Sequence, residues 1–353
     1  MNGMYFERRA VPSRVMGLAA PVLALLAMML CAVPMLRLAG LDPVATLRVY
    51  FLEPLSTGNG ISEWLLKANP LILIGLGLTV GYRANVWNIG AEGMYTIGAI
   101  LAATLALRFA DGVHHWLLPA MMLAGMLGGM AWAAIPAFLK TRLNTSEILV
   151  SLMLTYVAQL LLSWLVNGPM QDPQGLNYPQ TALFSESATF SPLVPGMRVN
   201  ASIFITLGAV ALTWLLLERS FLGFQLKVSG AAPAAARYAG FAQARLTWIS
   251  LLVSGAAAGL AGMFEAAGPL GQLSPVISPG YGFAAIIVAF IGRLRPIGVV
   301  FGGLLLSLLY LGGEAAQMTL NVPAALSRSF QGLLLFCLLA ADVLVEYRIR
   351  VRA

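Results

Sequence analysis

The chain has 353 residues, 59% hydrophobic and only 10% charged, where a soluble domain carries roughly 25% charged residues. That composition excludes a soluble globular domain and defines an integral membrane protein. The formal net charge of +7 is no sign of nucleic-acid binding, because the basic residues sit at the ends of apolar runs rather than on one face.

Residues 1–14 form a basic tail with Arg8, Arg9 and Arg14, and an apolar run follows from Val15 to Leu36. The run is longer than a signal-peptide core of about 7 to 15 residues. Leu30, not a small residue, precedes Cys31, so lipoprotein processing is not expected and the run is an uncleaved first span. Residues 37–63 hold Pro43, Pro54 and Gly58, which suits an extracytoplasmic loop with a short interfacial helix. Further spans are expected at 64–82, 86–107, 116–138, 147–166, 201–217, 246–267, 282–292, 297–318 and 326–345. Crossing a bilayer takes about 20 residues, so 282–292 is too short alone and is expected as a half-helix or broken span inside the protein. Residues 346–353 close the chain as a second basic tail.

The expected fold is therefore all-α, a polytopic membrane helix bundle of about ten transmembrane segments with both termini cytoplasmic. Charge supports the orientation. With the amino terminus inside, most of the 21 Lys and Arg residues are cytoplasmic, and only Arg37, Arg48, Lys67, Arg108, Arg198 and Arg328 lie outside, as the positive-inside rule requires. Residues 15–345 then form the membrane domain, with 168–200 an extracytoplasmic loop and 218–245 a cytoplasmic one.

The loop 218–245 is the longest basic interruption, with Arg219, Lys227, Arg237 and Arg245 against Glu218. Within it Pro233, Ala236, Arg237 and Tyr238, closed by Gly240, form a short helix, since proline suits the first position and glycine the stop. Such a helix is either a docking peg for a soluble partner or a loop helix resting on the headgroups.

A weak inverted repeat relates Leu123–Ile148 to Val299–Arg328, and the glycine-rich lead-ins Asn88–Ile97 and Ser278–Ile287 precede them. Inverted repeats place a translocation route between the halves. Small residues recur four apart at Gly77 and Gly81, Gly125 and Gly129, Gly255 and Gly259, and Gly298 and Gly302, which allows close helix packing in lipid.

Four acids, Glu92, Glu265, Glu314 and Asp342, fall within or at the edges of spans. A charge at membrane depth costs at least ~2.5 kcal/mol on insertion scales. Glu92 is expected to cap the bare amides of a helix start, with a proton relay as the alternative. Glu265 and Glu314 lie near outer span ends, where water reaches them, and Asp342 can pair with Arg348 or a headgroup. In the span 147–166, Glu147, Ser151, Thr155, Gln159, Ser163 and Asn167 follow one another by four, flanked by Tyr156 and Trp164. That stripe either lines a wet path, with Ser151, Thr155, Tyr156, Gln159 and Ser163 along it, or supplies interhelical hydrogen bonds. As a path it suits an uncharged, hydrogen-bonding solute.

Lys67, Lys140 and Lys227 each follow a leucine, so the chain holds no P-loop. HExxH, CxxC and GxSxG are absent too. Cys31 and Cys337 are expected as small buried hydrophobes, and the pair His114-His115 has no further histidine to complete a metal site. No catalytic residue, metal or cofactor is expected.

Three stretches carry a family resemblance: Asn88-Ile89-Gly90-Ala91-Glu92-Gly93; Glu147–Thr181 with Gly168-Pro169, Asp172-Pro173 and Pro179-Gln180-Thr181 at its outer end; and Leu222-Gly223-Phe224 through Gly240, then Ser278–Phe283. On these the chain resembles the permease subunit of a binding-protein-dependent ABC importer of the branched-chain amino acid, ribose and nucleoside family. It is most similar to the nucleoside permeases that work with a basic membrane lipoprotein. Nearly everything after about residue 60 is covered.

The resemblance implies a bacterial inner-membrane protein with a separate ABC ATPase, a second permease subunit and an extracytoplasmic solute-binding lipoprotein or periplasmic protein as partners, surrounded by membrane lipid. It implies a nucleoside or nucleobase as solute, with a simple sugar of the ribose or galactose type as the runner-up; a proton-coupled secondary transporter is the rival class. Asn88, Gly90, Glu92 and Gly93 are the family signature. Pro233, Ala236, Arg237, Tyr238 and Gly240 correspond to the helix that couples to the ATPase. Thr155 replaces a common asparagine, and Ala232 and Ala234 replace an asparagine cap and a glutamate. Loss of an N-cap costs typically about 1 kcal/mol.

Overall fold

The computed structural model describes residues 4–8 and 14–351. Strand β1 (Met4–Arg8) and helix α1 (Arg14–Leu38) open the chain, followed by α2 (Pro43–Phe51), α3 (Gly58–Arg83), α4 (Ala91–Arg108), α5 (Leu117–Leu143) and α6 (Glu147–Val166). After a long loop come α7 (Ser202–Trp214), α8 (Phe221–Ala231), α9 (Pro233–Tyr238) and α10 (Gln243–Glu265). The short α11 (Tyr281–Ile291), α12 (Pro296–Leu320), α13 (Ala324–Glu346) and strand β2 (Tyr347–Val351) complete it.

Local chemistry sets many of these boundaries. Asp42 accepts the Val44 amide at 3.0 Å ahead of α2, whose first residue is Pro43, and Ser220 accepts the Gly223 amide at 3.1 Å ahead of α8; both are side-chain N-caps. Asn144 stops α5 in the left-handed conformation, a common helix terminator. Each of the ten expected segments contains a helix, but α4 starts only at Ala91 rather than 86, and α3 already at Gly58 rather than 64. Among the described residues, eight helices are long and apolar enough to cross a membrane, α7 together with the π-helical turn Leu215–Arg219 that continues it. Of the expected segments, those of α4, whose 18 residues carry Glu92 and Arg108 near their ends, and of α11, which at 11 residues is too short to cross alone as expected, are not among the eight.

The chain divides into two compact units, Met1–Ile61 with Leu308–Ala353, and Ser62–Ser307. In the first, α1 packs on α13. Ala20, Ala24, Met28, Ala32 and Leu36 form the buried line of α1, and Phe330, Leu334 and Leu338 are buried on α13. Tyr50 bonds Ser327 between hydroxyls at 2.6 Å and meets the Phe330 ring edge-on at 5.4 Å. Cys337 is buried as expected, but Cys31 is exposed, because it falls one position before Ala32 on the buried line. The all-α expectation holds for the bundle and misses one feature of the tails. β1 and β2 pair antiparallel, Met4 opposite Val351 and Arg8 opposite Tyr347. The side chains of Asp342 and Arg348 lie outside the described residues.

In the second unit α5 and α10 cross at their glycines. A Cβ on Gly129 would overlap the Gly255 carbonyl, one on Gly259 would overlap that of Gly125, and Gly98 of α4 sits against the Gly259 backbone. Two of the expected small-residue pairs thus face each other, and Gly77 of α3 rests on Ser254 and Ala257 of the same α10. Close backbone approach of this kind gains dispersion contact where lipid offers no hydrophobic drive. Buried polar groups pin α3 to α7, with Asn69 bonded to both Ser202 and Thr206. The loop 168–200 runs beside the segment after α10. Thr181, Phe184 and Phe190 donate backbone amides to Leu273 at 3.0 Å, Gly271 at 2.8 Å and Ala267 at 2.9 Å. That pairing fixes the course of the chain as it returns toward α11.

Candidate functional site

The stripe on α6 divides into parts with different surroundings. Four residues advance a helix by about 40° beyond one full turn at 3.6 residues per turn, so a strict four-residue spacing drifts off any fixed face. The buried line of α6 is Glu147, Ser151, Thr155, Ala158, Leu162 and Val166. The stripe shares its first three members and then leaves it.

Ser151 and Thr155 are each 1% exposed and pack against the start of α4. A Cβ on Gly90 would overlap the Ser151 backbone, and one on Gly93 would lie 2.8 Å from the Thr155 Cα. The Ser151 hydroxyl accepts the Ile89 amide at 3.3 Å, and Thr155 donates to the Ser151 carbonyl at 3.2 Å. Glu147 pairs with Lys140 at 2.9 Å. These residues supply helix contacts. Gln159 is exposed and Ser163 half-buried, while Tyr156 and Trp164 point outward, 54% and 63% exposed.

Gln159 borders a cavity of about 260 Å³, whose other polar lining groups are Glu92, Thr96 and Ser278, with Leu162 and Ile277 among the aliphatic ones. Glu92 is only 2% exposed. Its Oε2 accepts the Gly282 amide at 2.6 Å, and the Ser278 hydroxyl also bonds its side chain. Ser278 accepts the Gly280 and Tyr281 amides at 3.0 Å each. Glu92 and Ser278 together therefore satisfy the bare amides at the start of α11, where the positive end of the helix dipole favours a carboxylate. Glu92 does cap a helix start, and the helix is one 190 positions away in the chain. The two glycine-rich stretches Asn88–Ile97 and Ser278–Ile287 meet at this bond.

The rest of the stretch Asn88–Gly93 completes the junction. Asn88, 2% exposed, donates to Ser254 of α10 at 2.8 Å and accepts the Gly90 amide at 2.9 Å. Its carbonyl accepts the Tyr82 hydroxyl of α3 at 3.1 Å. Sequence reasoning did not single out Thr96 or the Pro275–Ile277 stretch of the lining. Thr96 lies one turn after Glu92, with its hydroxyl bonded to the Glu92 carbonyl at 2.9 Å, and that spacing was the available signal.

The basic loop holds two helices rather than one. α9 has the expected bounds, with Ala232 giving no side-chain cap and Gly240 left-handed at φ 79°. Ala236 is buried, Arg237 is exposed and Tyr238 is 97% exposed. α8 was not expected; Ser220 before Phe221 was its signal. The loop is anchored by contacts on either side of α9. Gly230 abuts the Arg83 carbonyl, Arg83 pairs with Glu218 at 2.6 Å, and the Phe221, Phe224 and Phe241 rings lie 6.0 to 6.3 Å apart.

Glu265 borders a second cavity of about 170 Å³ with Glu63, Lys67 and Arg198, so it stands among charges rather than alone. Arg198 bonds Glu63 at 3.0 Å and the Pro269 carbonyl at 2.7 Å. Glu314 is half-buried on α12. Among the described residues no group of His, Cys, Asp or Glu is arranged to hold a metal ion.

Eight crossing-length apolar helices among the described residues define a multi-pass membrane protein, and its polar cavity is walled by α4, α6 and the segment that leads into the capped α11. The chain belongs to the family of branched-chain amino acid transport system permease components, whose pattern matches residues 60–339. It is similar to the glucose ABC transporter permease protein TsgB13 of Haloferax volcanii, 37% identical over 97% of this chain and 92% of the relative. It is also similar to the nucleoside ABC transporter permease protein NupB of Lactococcus lactis, 30% identical over 77% of each chain. The guanosine ABC transporter permease protein NupP of Bacillus subtilis is 30% identical over 75% of this chain and 76% of the relative. The protein is an ABC transporter permease, a multi-pass integral protein of the cell membrane. Permeases of this family work with an ATPase and a binding protein.

Proposed function

We propose that the chain forms half of the solute path of an ATP-driven importer and that its solute is a nucleoside or a simple sugar. ATP is hydrolysed on a separate subunit, a second, different permease completes the path, and a binding lipoprotein or periplasmic protein delivers solute to the outer loop 168–200. Ten segments enter the membrane, α4 and the half-helix α11 included, and both termini are cytoplasmic. α9 is the coupling helix, presenting Arg237 and Tyr238 on a turn set by Pro233, Ala236 and Gly240. Of the stripe, Gln159 faces the path; Ser151 and Thr155 hold α6 against α4.

The observation that carries this reading is the meeting of Gln159, Thr96, Glu92 and Ser278 around one cavity inside a chain of this family. Gln159, Thr96 and Ser278 are neutral donors and acceptors there, which suit an uncharged solute. Relatives named for glucose and for nucleosides support both solute classes. The test is ATP-driven uptake by the complete complex in proteoliposomes. Arg237→Glu combined with Tyr238→Ala should abolish uptake and leave the melting temperature of the chain unchanged, since both side chains are exposed. Normal uptake by that variant removes α9 from the coupling role. Uptake by this chain alone under a pH gradient, with no ATPase present, would establish the proton-coupled rival instead.

A further inference from the structure

We infer that the cavity at Glu92 is a hydroxyl-recognition site, in which Glu92, Gln159 and Thr96 bind the vicinal hydroxyls of a sugar or ribosyl group. The inference rests on the solute reading above and narrows it, because it excludes free nucleobases.

Acceptor capacity is the first ground. The Glu92 carboxyl carries lone-pair sites on both of its oxygens. The Gly282 amide and the Ser278 hydroxyl occupy two, which leaves acceptors at the cavity wall for hydroxyl donors. Thr96 donates its proton to the Glu92 carbonyl, so its oxygen faces a solute as an acceptor. The Gln159 amide has no hydrogen bond among the described residues and supplies both a donor and an acceptor. Two acceptors and one group of either kind match adjacent hydroxyls, each of which donates once and accepts twice.

The lining also excludes the other classes. None of the eight described lining residues is aromatic, whereas proteins commonly hold free bases by stacking on aromatic rings. None is Lys or Arg either, so the carboxylate of an amino acid finds no counterion, and the Gly282 amide is already taken by Glu92. The volume of about 260 Å³ falls below the ~300–1,000 Å³ of sites for drug-sized ligands, as a compact polyol requires.

The test measures uptake by the complete complex of a ribonucleoside, its 2′,3′-dideoxy analogue and the free nucleobase, and of an aldohexose beside its monodeoxy analogues. The quantity read is the ratio of parent to deoxy uptake within one protein, which cancels differences in protein amount. Gln159→Leu and Glu92→Gln are compared with the wild type. Glu92→Gln keeps an acceptor for Gly282, and Gln159 is exposed, so both variants should fold. The expected result is a ratio reduced about tenfold in each variant, because a site built for hydroxyls loses its advantage only for the parent. Parent and deoxy uptake falling in equal proportion would overturn the inference and leave a purely structural role. Free nucleobase uptake that is as fast as nucleoside uptake and equally sensitive to Gln159→Leu would also overturn it. A wild-type complex that carries neither nucleosides nor sugars would instead refute the solute reading on which the inference rests.

Discussion

Ser151 and Gln159 stand on one helix, two steps apart in one polar stripe, and do different work. Ser151 is 1% exposed, with its backbone against Gly90 and its hydroxyl on the Ile89 amide. Gln159 is exposed and borders the cavity with Glu92 and Thr96. The difference teaches that equal spacing does not mean equal surroundings. A drift of about 40° per step carries a four-residue repeat from a packed face to an open one within a few turns.

This contrast can be broken at either end. The largest expected effect is on the packed side, where Gly93→Leu sets a side chain against the Thr155 backbone. Neither helix can yield without losing the α4–α6 contact, so overpacking should cost about 3 kcal/mol and appear as aggregation or a strongly lowered melting temperature in detergent. A Gly93→Leu variant that melts with the wild type would show that the two helices are not held there. Gln159→Leu should act on the open side, lowering uptake of the parent solute about tenfold, equivalent to about 1.4 kcal/mol, with no change in melting. A lowered melting temperature with unaltered uptake per folded complex would reverse the assignment. Ser151→Ala should be the mildest of the three, at about 0.5 kcal/mol of stability, because its hydrogen bond to the Ile89 amide is long at 3.3 Å. Uptake by that variant should equal the wild type once corrected for protein amount.

The helices were legible because local pattern specifies them. Apolar runs gave the spans, the 11-residue α11 declared itself by being too short to cross, and Pro233 and Gly240 marked both ends of α9. The glycine pairs Gly125 and Gly129, and Gly255 and Gly259, were visible as spacing; that they face each other was not. Contacts between remote segments leave no periodic trace. Glu92 carried a signal, an acid that needed a helix start, yet nothing local named Gly282 as its partner. Pro275, Val276 and Ile277 line the cavity because the loop 168–200 holds the segment before them in place, and backbone pairing is indifferent to side-chain identity. α8 escaped because its sequence offers a cap at Ser220 but only a short run behind it. The β1–β2 ribbon pairs the two chain ends, which no reading of either tail alone would join.

The most direct test of the division along α6 is cysteine labelling in the assembled transporter, with Cys31→Ser and Cys337→Ser as background. Single cysteines are placed at Ser151, Thr155 and Gln159 and exposed to a membrane-impermeant maleimide, with and without transported solute. The account predicts rapid labelling at Gln159→Cys that solute slows, and none at Ser151→Cys or Thr155→Cys. Labelling of all three at one rate, or of none, would contradict it.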